Sequence, residues 1–209
     1  GAPSNLSIEC ISDHLDLALL NELWKSSGLM AAIRSIDEGR TKQLPLEYVV
    51  RTLAIQRCSN PGSKLQAVQW NKRTSLPEII GYDINKFNYT RINRTLKFLA
   101  DHDRELQERI ASNAYRSTGK FSAIFMDVTD THFEGSGCAA AEMTKIKSGN
   151  SKIAIGILLT CSENGTPLRW RVLPGREKDH IAMNEMIGKI KSEDWTTQTP
   201  IIFDRAMGK

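Results

Sequence analysis

The first half of the chain repeats apolar residues at the spacing of an α-helix. Leu17, Leu20 and Leu23 predict one helix, with Gly28 as its stop. Pro45 marks the start of a second helix, since proline is well tolerated in the first helical turn. The pattern therefore predicts a helical beginning to the chain.

Turn residues divide the rest of this half. Asn60-Pro61-Gly62 ends the second helix, and Ser63 is a suitable N-cap for a third. After a turn at Gly81-Tyr82-Asp83, one long helix is predicted from about Thr90 to Tyr115. Its predicted inward residues are Ile92, Leu96, Leu99, Leu106 and Ile110.

From about residue 119 the periodicity becomes that of strands. Residues 121–128 predict a short buried strand, and the small, polar and basic residues 135–150 predict a loop. Asn164-Gly165 separates two apolar runs, Ile153–Cys161 and Thr166–Leu173, which is the pattern of a β-hairpin. A helix opening at Asp179 and a strand at Ile201–Phe203 follow. We therefore predict an α+β chain, with an all-helical domain over residues 1–118 and part of a mixed α/β core over residues 119–209.

Positive charge is concentrated in the helical half. Between Arg51 and Lys97 the chain has nine basic residues and two acidic ones, whereas from Phe121 onward eleven of each sign balance. A polyanion such as DNA is therefore expected to dock on the helical half. The alternative is an ordinary solvated helix surface. The candidate phosphate contacts are Lys64, Lys72, Arg73, Arg91, Arg94 and Lys97.

Composition argues against several classes of protein. The four cysteines form no CxxC pair, which disfavours a structural zinc site and a redox motif. The sequence also lacks Walker, GxGxxG and GxSxG motifs. No apolar run approaches the roughly 20 residues of a membrane helix, and the N-terminus has no signal pattern. A cytoplasmic location without membrane contact is therefore expected, and DNA binding by the helical half would make the protein nucleoid-associated.

Two aspartates follow apolar strands. Asp127 comes after Ile124-Phe125-Met126, and Asp204 comes after Ile201-Ile202-Phe203. Carboxylates at the ends of neighbouring strands would lie side by side and would suit Mg²⁺ or Mn²⁺. An acid in this position is also commonly the first residue of a loop, so the pattern alone leaves both interpretations open.

Four segments of the sequence share features with one protein family. In chain order they are Arg57 with Asn60-Pro61-Gly62-Ser63-Lys64, then Ile124–Thr129 with Phe133-Glu134, then the hairpin from Ile155 to Gly175, and finally Ile202–Met207. Together they resemble bacterial insertion-sequence transposases of the DDE class. The resemblance covers nearly the whole chain, from about Leu15 to Lys209.

This resemblance implies a ribonuclease-H-like core that depends on Mg²⁺, for which Mn²⁺ substitutes. The implied activity is DNA cleavage and strand transfer at the inverted repeats of an insertion sequence. Asp127 and Asp204 correspond to the first two members of the family's acidic triad. The implied partner is double-stranded DNA, both as element ends and as target, with a homo-oligomer forming on it.

The chain departs from the family pattern in three places. The family's third acid, a glutamate on a later helix, has no counterpart before Lys209, so we expect these 209 residues alone to be inactive. The linker before Ile153 is shorter than usual in the family, and Arg176 stands where the family commonly has asparagine.

Other polar residues near Asp127 have competing interpretations. On a strand, Thr129 shares the face of Asp127 and Asp130 points the other way, which makes Asp130 a poor co-ligand. Glu134 fits an outer-shell ligand or a solvated loop acid. The histidines His132 and His180 fit metal ligands or surface and packing positions.

Two other functions remain open. A DNA-binding module without catalysis, such as a repressor or the product of a decayed element, would bind inverted repeats in a salt-sensitive way. A stand-alone metal nuclease would instead cut DNA without repeat specificity.

Overall fold

The computed structural model describes residues 14–37, 44–132, 138–145, 151–175, 179–193 and 198–203. The chain forms two compact units that divide between Leu106 and Gln107. The first unit is helical in its described residues, and the second contains a mixed β-sheet with helices. This mixed α/β content agrees with the fold class expected from the sequence.

From Leu46 onward, the described helices of the first unit follow one another through short connections. Ser63 caps its helix as predicted: the Ser63 hydroxyl accepts a hydrogen bond from the Gln66 amide, and the Gln66 side chain accepts one from the Ser63 amide. The helices are α1 (Leu15–Ser26), α2 (Leu29–Ile36), α3 (Leu46–Ser59), α4 (Lys64–Asn71), α5 (Leu76–Ile80) and α6 (Tyr89–Asp101), with a 3₁₀ turn at Ile84–Lys86.

The single long helix predicted from Thr90 to Tyr115 is wrong. The structure has α6 and then α7 (Asp103–Thr118), separated at His102. The backbone of His102 leaves helical values, with φ −116° and ψ 19°, and its ring Nδ1 lies 2.9 Å from the carbonyl oxygen of Phe98. Asp103 then puts a negative charge in the first turn of α7, where the helix dipole favours it.

The break also changes which residues of α6 face inward. Ile92 is buried as predicted, together with Thr95 and Phe98, but Leu96 is 39% exposed. The prediction for α7 is confirmed at Leu106 and Ile110, which are both buried.

Two apolar clusters stabilise the first unit. The first joins α1, α3 and α5, and the second joins α3 to α6 and to the segments before each of them. Their buried members are Leu17, Ile55, Leu76 and Ile80 in the first cluster, and Leu44, Val49, Phe87 and Ile92 in the second.

A buried ion pair lies within α3. The Arg51 guanidinium donates to both carboxylate oxygens of Glu47 at 2.7 Å, and the two side chains are 3% and 1% exposed. From α1, Trp24 Nε1 donates to Glu47, and Asn21 accepts from Arg51. Arg51 is thus one cation of the basic half that packs inside the unit.

The sheet of the second unit is mixed. It consists of β1 (Ile124–His132), β2 (Glu142–Lys145), β3 (Ser151–Ser162), β4 (Pro167–Leu173) and β5 (Ile201–Phe203). Strand β1 pairs antiparallel with β3 on one side and parallel with β5 on the other. Strands β2 and β4 both pair antiparallel with β3, along different stretches of it.

The predicted hairpin is confirmed, with arms β3 and β4. Its turn contains Asn164-Gly165, and Gly165 has φ +76°, a conformation that glycine adopts without steric cost. The Ser162 amide donates to the Thr166 carbonyl at 2.9 Å across the turn.

Two predictions about the second unit are wrong in their boundaries. Strand β2 lies inside the predicted loop of residues 135–150 and forms because Glu142–Lys145 pairs with Ser151–Ala154, a stretch of β3 that β4 does not reach. Strand β1 begins at Ile124 and continues past Val128 to His132, since β3 pairs with it along all nine residues.

Helices α7 and α8 (Asp179–Lys191) contribute to the core on one face of the sheet. This core includes Ala111 of α7 and Met183 of α8, packed with Met126, Val128 and strand residues of β3 and β4. The opposite face presents apolar side chains to solvent. Phe125, Val172 and Ile202 are 45%, 52% and 46% exposed there.

A buried arginine fixes β4. The Arg169 guanidinium donates to the Glu193 carboxylate at 2.8 Å and to the carbonyl oxygen of Gln107, while its own side chain is 4% exposed. The Gln107 side chain in turn accepts from the Trp170 amide. These contacts join β4 to α7 and to the residues that follow α8.

Candidate functional site

Asp127 lies on the exposed face of the sheet. It is the fourth of nine residues in β1, so the prediction that it ends its strand is wrong. Side chains alternate along β1, with Ile124, Met126 and Val128 buried and Asp127 exposed. The carboxylate is therefore outside the apolar core and accessible to solvent and to ligands.

Strand β5 runs beside β1 in the same direction. The pairing matches Ile124 with Ile201 and Met126 with Phe203, and the Ile124 amide donates to the Pro200 carbonyl at 2.9 Å. In the sequence, the residues that follow Met126 and Phe203 are Asp127 and Asp204. Asp204 itself lies outside the described residues.

A shallow depression of about 480 Å³ adjoins the Asp127 side chain. Strands β1, β3 and β5 supply its walls, and Asp127 is the carboxylate among its lining residues. The other lining residues are Phe125, Met126, Leu159, Cys161, Ile202 and Phe203. A hard oxygen ligand beside apolar walls is a chemically reasonable place for Mg²⁺ or Mn²⁺, provided that further oxygen ligands complete the coordination.

Cys161 lies in the same depression, and the sequence patterns gave no reason to single it out. Its partner in β1 is Phe125, so the β1–β3 register brings it there. Burial raises the pKa of the Cys161 thiol. Burial therefore favours the protonated thiol over the thiolate.

The remaining polar candidates are spread along β1 and α8. Thr129 is exposed like Asp127, and Asp130, one position on, is half-buried and pairs with Gly156. His132 is exposed at the end of β1, and His180 is half-buried in α8. Glu134 lies outside the described residues. Within the described ranges, no three His, Cys, Asp or Glu side chains are grouped closely enough to hold a metal ion.

The six predicted phosphate contacts all lie in the first unit, on α4 and α6 or directly after α4. Lys64 opens α4, donates to Asn93 of α6 at 2.9 Å and lies 5.7 Å from the ring centroid of Tyr89. Lys72 and Arg73 are exposed at the end of α4. The three on α6 are Arg91, which is half-buried, Arg94, which is exposed, and Lys97, which forms an exposed ion pair with Asp101.

Because α4 contacts α6, the two helices that carry or adjoin these side chains are neighbours in the first unit. Among the residues that the structure describes, no helix is long and apolar enough to cross a membrane.

Comparison with protein-family models, with curated proteins and with solved structures finds no match to this chain.

Proposed function

We propose that this chain carries the helical domain and part of the catalytic core of a DDE transposase, a metal-dependent enzyme that cuts and transfers DNA strands. The observation that carries the proposal is the parallel register of β1 and β5, which sets Phe203 beside Met126. The next residue of each strand in sequence is an aspartate. One further step in this register would bring the two carboxylates together.

The order of the strands supports a ribonuclease-H-like core as part of this proposal. Strands β4, β3 and β1 are neighbours with antiparallel pairings, and β5 follows as the parallel neighbour of β1. Helix α8 lies between β4 and β5 along the chain. This succession is the one expected for the opening half of such a core.

In this proposal Asp127 and Asp204 hold the metal from two adjacent strands, and a further carboxylate completes the set. When bound, Mg²⁺ or Mn²⁺ would lower the pKa of water or of a 3′-hydroxyl and stabilise the leaving oxygen of the phosphodiester. Phe125, Leu159 and Ile202 lie beside Asp127 in the depression and offer no competing oxygen ligands, so the further ligands of a bound cation would come from Asp204, the additional carboxylate, water and DNA. The cations of α4 and α6 would bind the DNA backbone.

The test is cleavage of a supercoiled plasmid that carries the DNA flanking the gene, incubated with Mn²⁺ and with the full-length product of that gene. We expect nicking that Asp127→Ala and Asp204→Ala each reduce to background. Asp130→Ala is the matched control, since Asp130 lies in the same strand and points the other way. Nicking that survives Asp127→Ala would overturn the assignment.

A DNA-binding module without catalysis is the second candidate. It is favoured by the position of all six predicted phosphate contacts in a compact unit that does not include Asp127. Salt-sensitive DNA binding by the same full-length gene product, without nicking in Mn²⁺, would support this candidate. Nicking by residues 1–209 alone, without repeat specificity, would favour a stand-alone nuclease.

A further inference from the structure

The segment α3–turn–α4 has the dimensions of a helix-turn-helix. Helix α3 ends at Ser59, α4 begins at Lys64, and the residues between them, Asn60–Ser63, include Gly62. Two helices joined by three or four residues, often including glycine, are the local pattern of this motif. Helix α6 contacts both α3 and α4 and so completes a three-helix cluster.

Side-chain hydrogen bonds hold the turn in one conformation. The buried Gln56 amide donates to the Asn60 carbonyl, and Ser63 and Gln66 form the capping box at the start of α4. A Cβ at Gly62 would lie 2.9 Å from the Gln66 side-chain oxygen, so a larger residue there would have to displace the side chain that closes the capping box. Helix α4 is thus held in a fixed position relative to α3.

Helix α4 presents one face to solvent. Ala67 and Asn71 are buried on the inner side, and Val68 packs against the cluster of α3 and α6. The opposite side is formed by residues at spacings i, i+4, i+7 and i+8, which share a helix face. These exposed residues are Leu65, Gln69, Lys72 and Arg73, and Leu65 is 61% exposed.

The charge along the sequence of α3, the turn and α4 after Glu47 is of one sign. The sequence from residue 48 to residue 77 contains no aspartate or glutamate, and it contains Arg57, Lys64, Lys72 and Arg73 besides the buried Arg51. Such a surface is complementary to phosphate groups. A merely solvated helix face commonly carries acids among its bases, and the sequence of α4 has none.

We propose that α3 and α4 form a helix-turn-helix in which α4 enters the major groove of double-stranded DNA. The inference takes DNA as partner from the proposed function and goes further by assigning the reading helix. In it, Gln69 and Leu65 contact base edges, because glutamine pairs with adenine and an apolar side chain packs on the thymine methyl group. Lys72 and Arg73 contact DNA phosphates beside the groove. Arg94, on the neighbouring protein helix α6, contacts the sugar–phosphate backbone of the DNA.

The dimensions favour DNA over duplex RNA. An α-helix with its side chains is roughly 10–12 Å in diameter, which fits the B-form major groove of about 12 Å width. The major groove of duplex RNA is too narrow and deep for side chains on a helix to read.

The test is selection of binding sites from a pool of random-sequence DNA duplexes by the 209-residue chain in EDTA, so that catalysis plays no part. We expect one enriched sequence. Leu65→Ala and Gln69→Ala should each weaken binding to it by about 5- to 150-fold and relax base preference at one or two adjacent positions. The matched control is Leu19→Ala on α1, because Leu19 is 60% exposed. It should leave affinity and sequence preference unchanged.

Lys72→Ala gives an independent readout. It should weaken binding to all sequences alike and lower the slope of log K against log salt by about 0.9, the value for one phosphate contact. The inference is overturned if the enriched sequence and its affinity are unchanged in Leu65→Ala and Gln69→Ala, or if the wild-type chain enriches no sequence. If α4 determines the selected DNA sequence but the protein does not nick DNA in the plasmid test, this inference stands and the transposase proposal fails.

Discussion

Removing the carboxylate of Glu193 should destabilise the second unit far more than removing that of Glu185, although each acid pairs with an arginine of β4. The Arg169–Glu193 side chains are 4% and 18% exposed, and the Arg171–Glu185 side chains are 38% and 63% exposed. The nitrogen–oxygen distances, 2.8 and 2.6 Å, would by themselves favour the exposed pair. The comparison therefore separates burial from distance.

The expected magnitudes follow from desolvation. Glu193→Ala leaves the buried Arg169 charge without its carboxylate, and losing one partner of a buried pair costs about 3–5 kcal/mol. Since Glu193 is itself partly exposed, we expect about 3 kcal/mol. Glu185→Ala removes a solvent-screened pair and should cost less than about 1 kcal/mol.

The assay is urea unfolding followed by circular dichroism at equilibrium, fitted with a separate transition for each compact unit. The two variants should differ by about 2 kcal/mol or more in the transition of the second unit. If Glu193→Ala and Glu185→Ala lower the free energy of unfolding of the second unit equally, within the error of the extrapolation, burial does not determine the contribution of the Arg169–Glu193 pair.

Three further predictions concern packing, titration and reactivity. Gly175→Ala should destabilise the second unit by about 1–3 kcal/mol, because its Cβ would lie 2.6 Å from a backbone carbonyl oxygen of β3. Gly188→Ala, in open space on α8, should instead stabilise the unit by about 0.5–1 kcal/mol. Urea unfolding in which both variants are at or above wild-type stability would contradict this. Burial raises the pKa of Tyr82 to about 12. The free energy of unfolding should therefore fall by about 2–3 kcal/mol between pH 10 and pH 12, because the tyrosine of the unfolded chain ionises first. If the free energy of unfolding of Tyr82→Phe falls equally steeply over this range, Tyr82 is not the cause. In native conditions maleimide should label the exposed Cys58 faster than the half-buried Cys161, as measured by mass spectrometry of peptides, and the reverse order would be inconsistent with the structure.

Local signals in the sequence were sufficient for several elements of the fold. The Asn164-Gly165 turn and the cap at Ser63 are properties of a few adjacent residues, and both predictions are confirmed. The strand Ile201–Phe203 was likewise visible as a short apolar run.

Elements that depend on distant partners were not predictable in the same way. Strand β2 includes the exposed Met143 and pairs through its backbone with a stretch of β3 that β4 does not occupy, so its existence depends on a partner that is distant from any local signal. The break at His102 depends on the backbone conformation of one residue inside an apparently continuous helical pattern.

The candidate site was likewise predictable only in part from local sequence. The motif identified Asp127 by residue type and sequence context, but its exposed, mid-strand position depends on the β1–β3 register. That register also brings Leu159 opposite Asp127 and Cys161 opposite Phe125, which no short motif specifies.

The central claim is that Asp127 and Asp204 hold one divalent cation, and the most direct test is Mn²⁺-induced broadening of amide signals in NMR spectra of the ¹⁵N-labelled 209-residue chain. We predict selective broadening around Asp127, Leu159 and Ile202, lost in both Asp127→Asn and Asp204→Asn and retained in Asp130→Asn. Broadening that is absent from this region, or that persists in Asp127→Asn, would contradict the account.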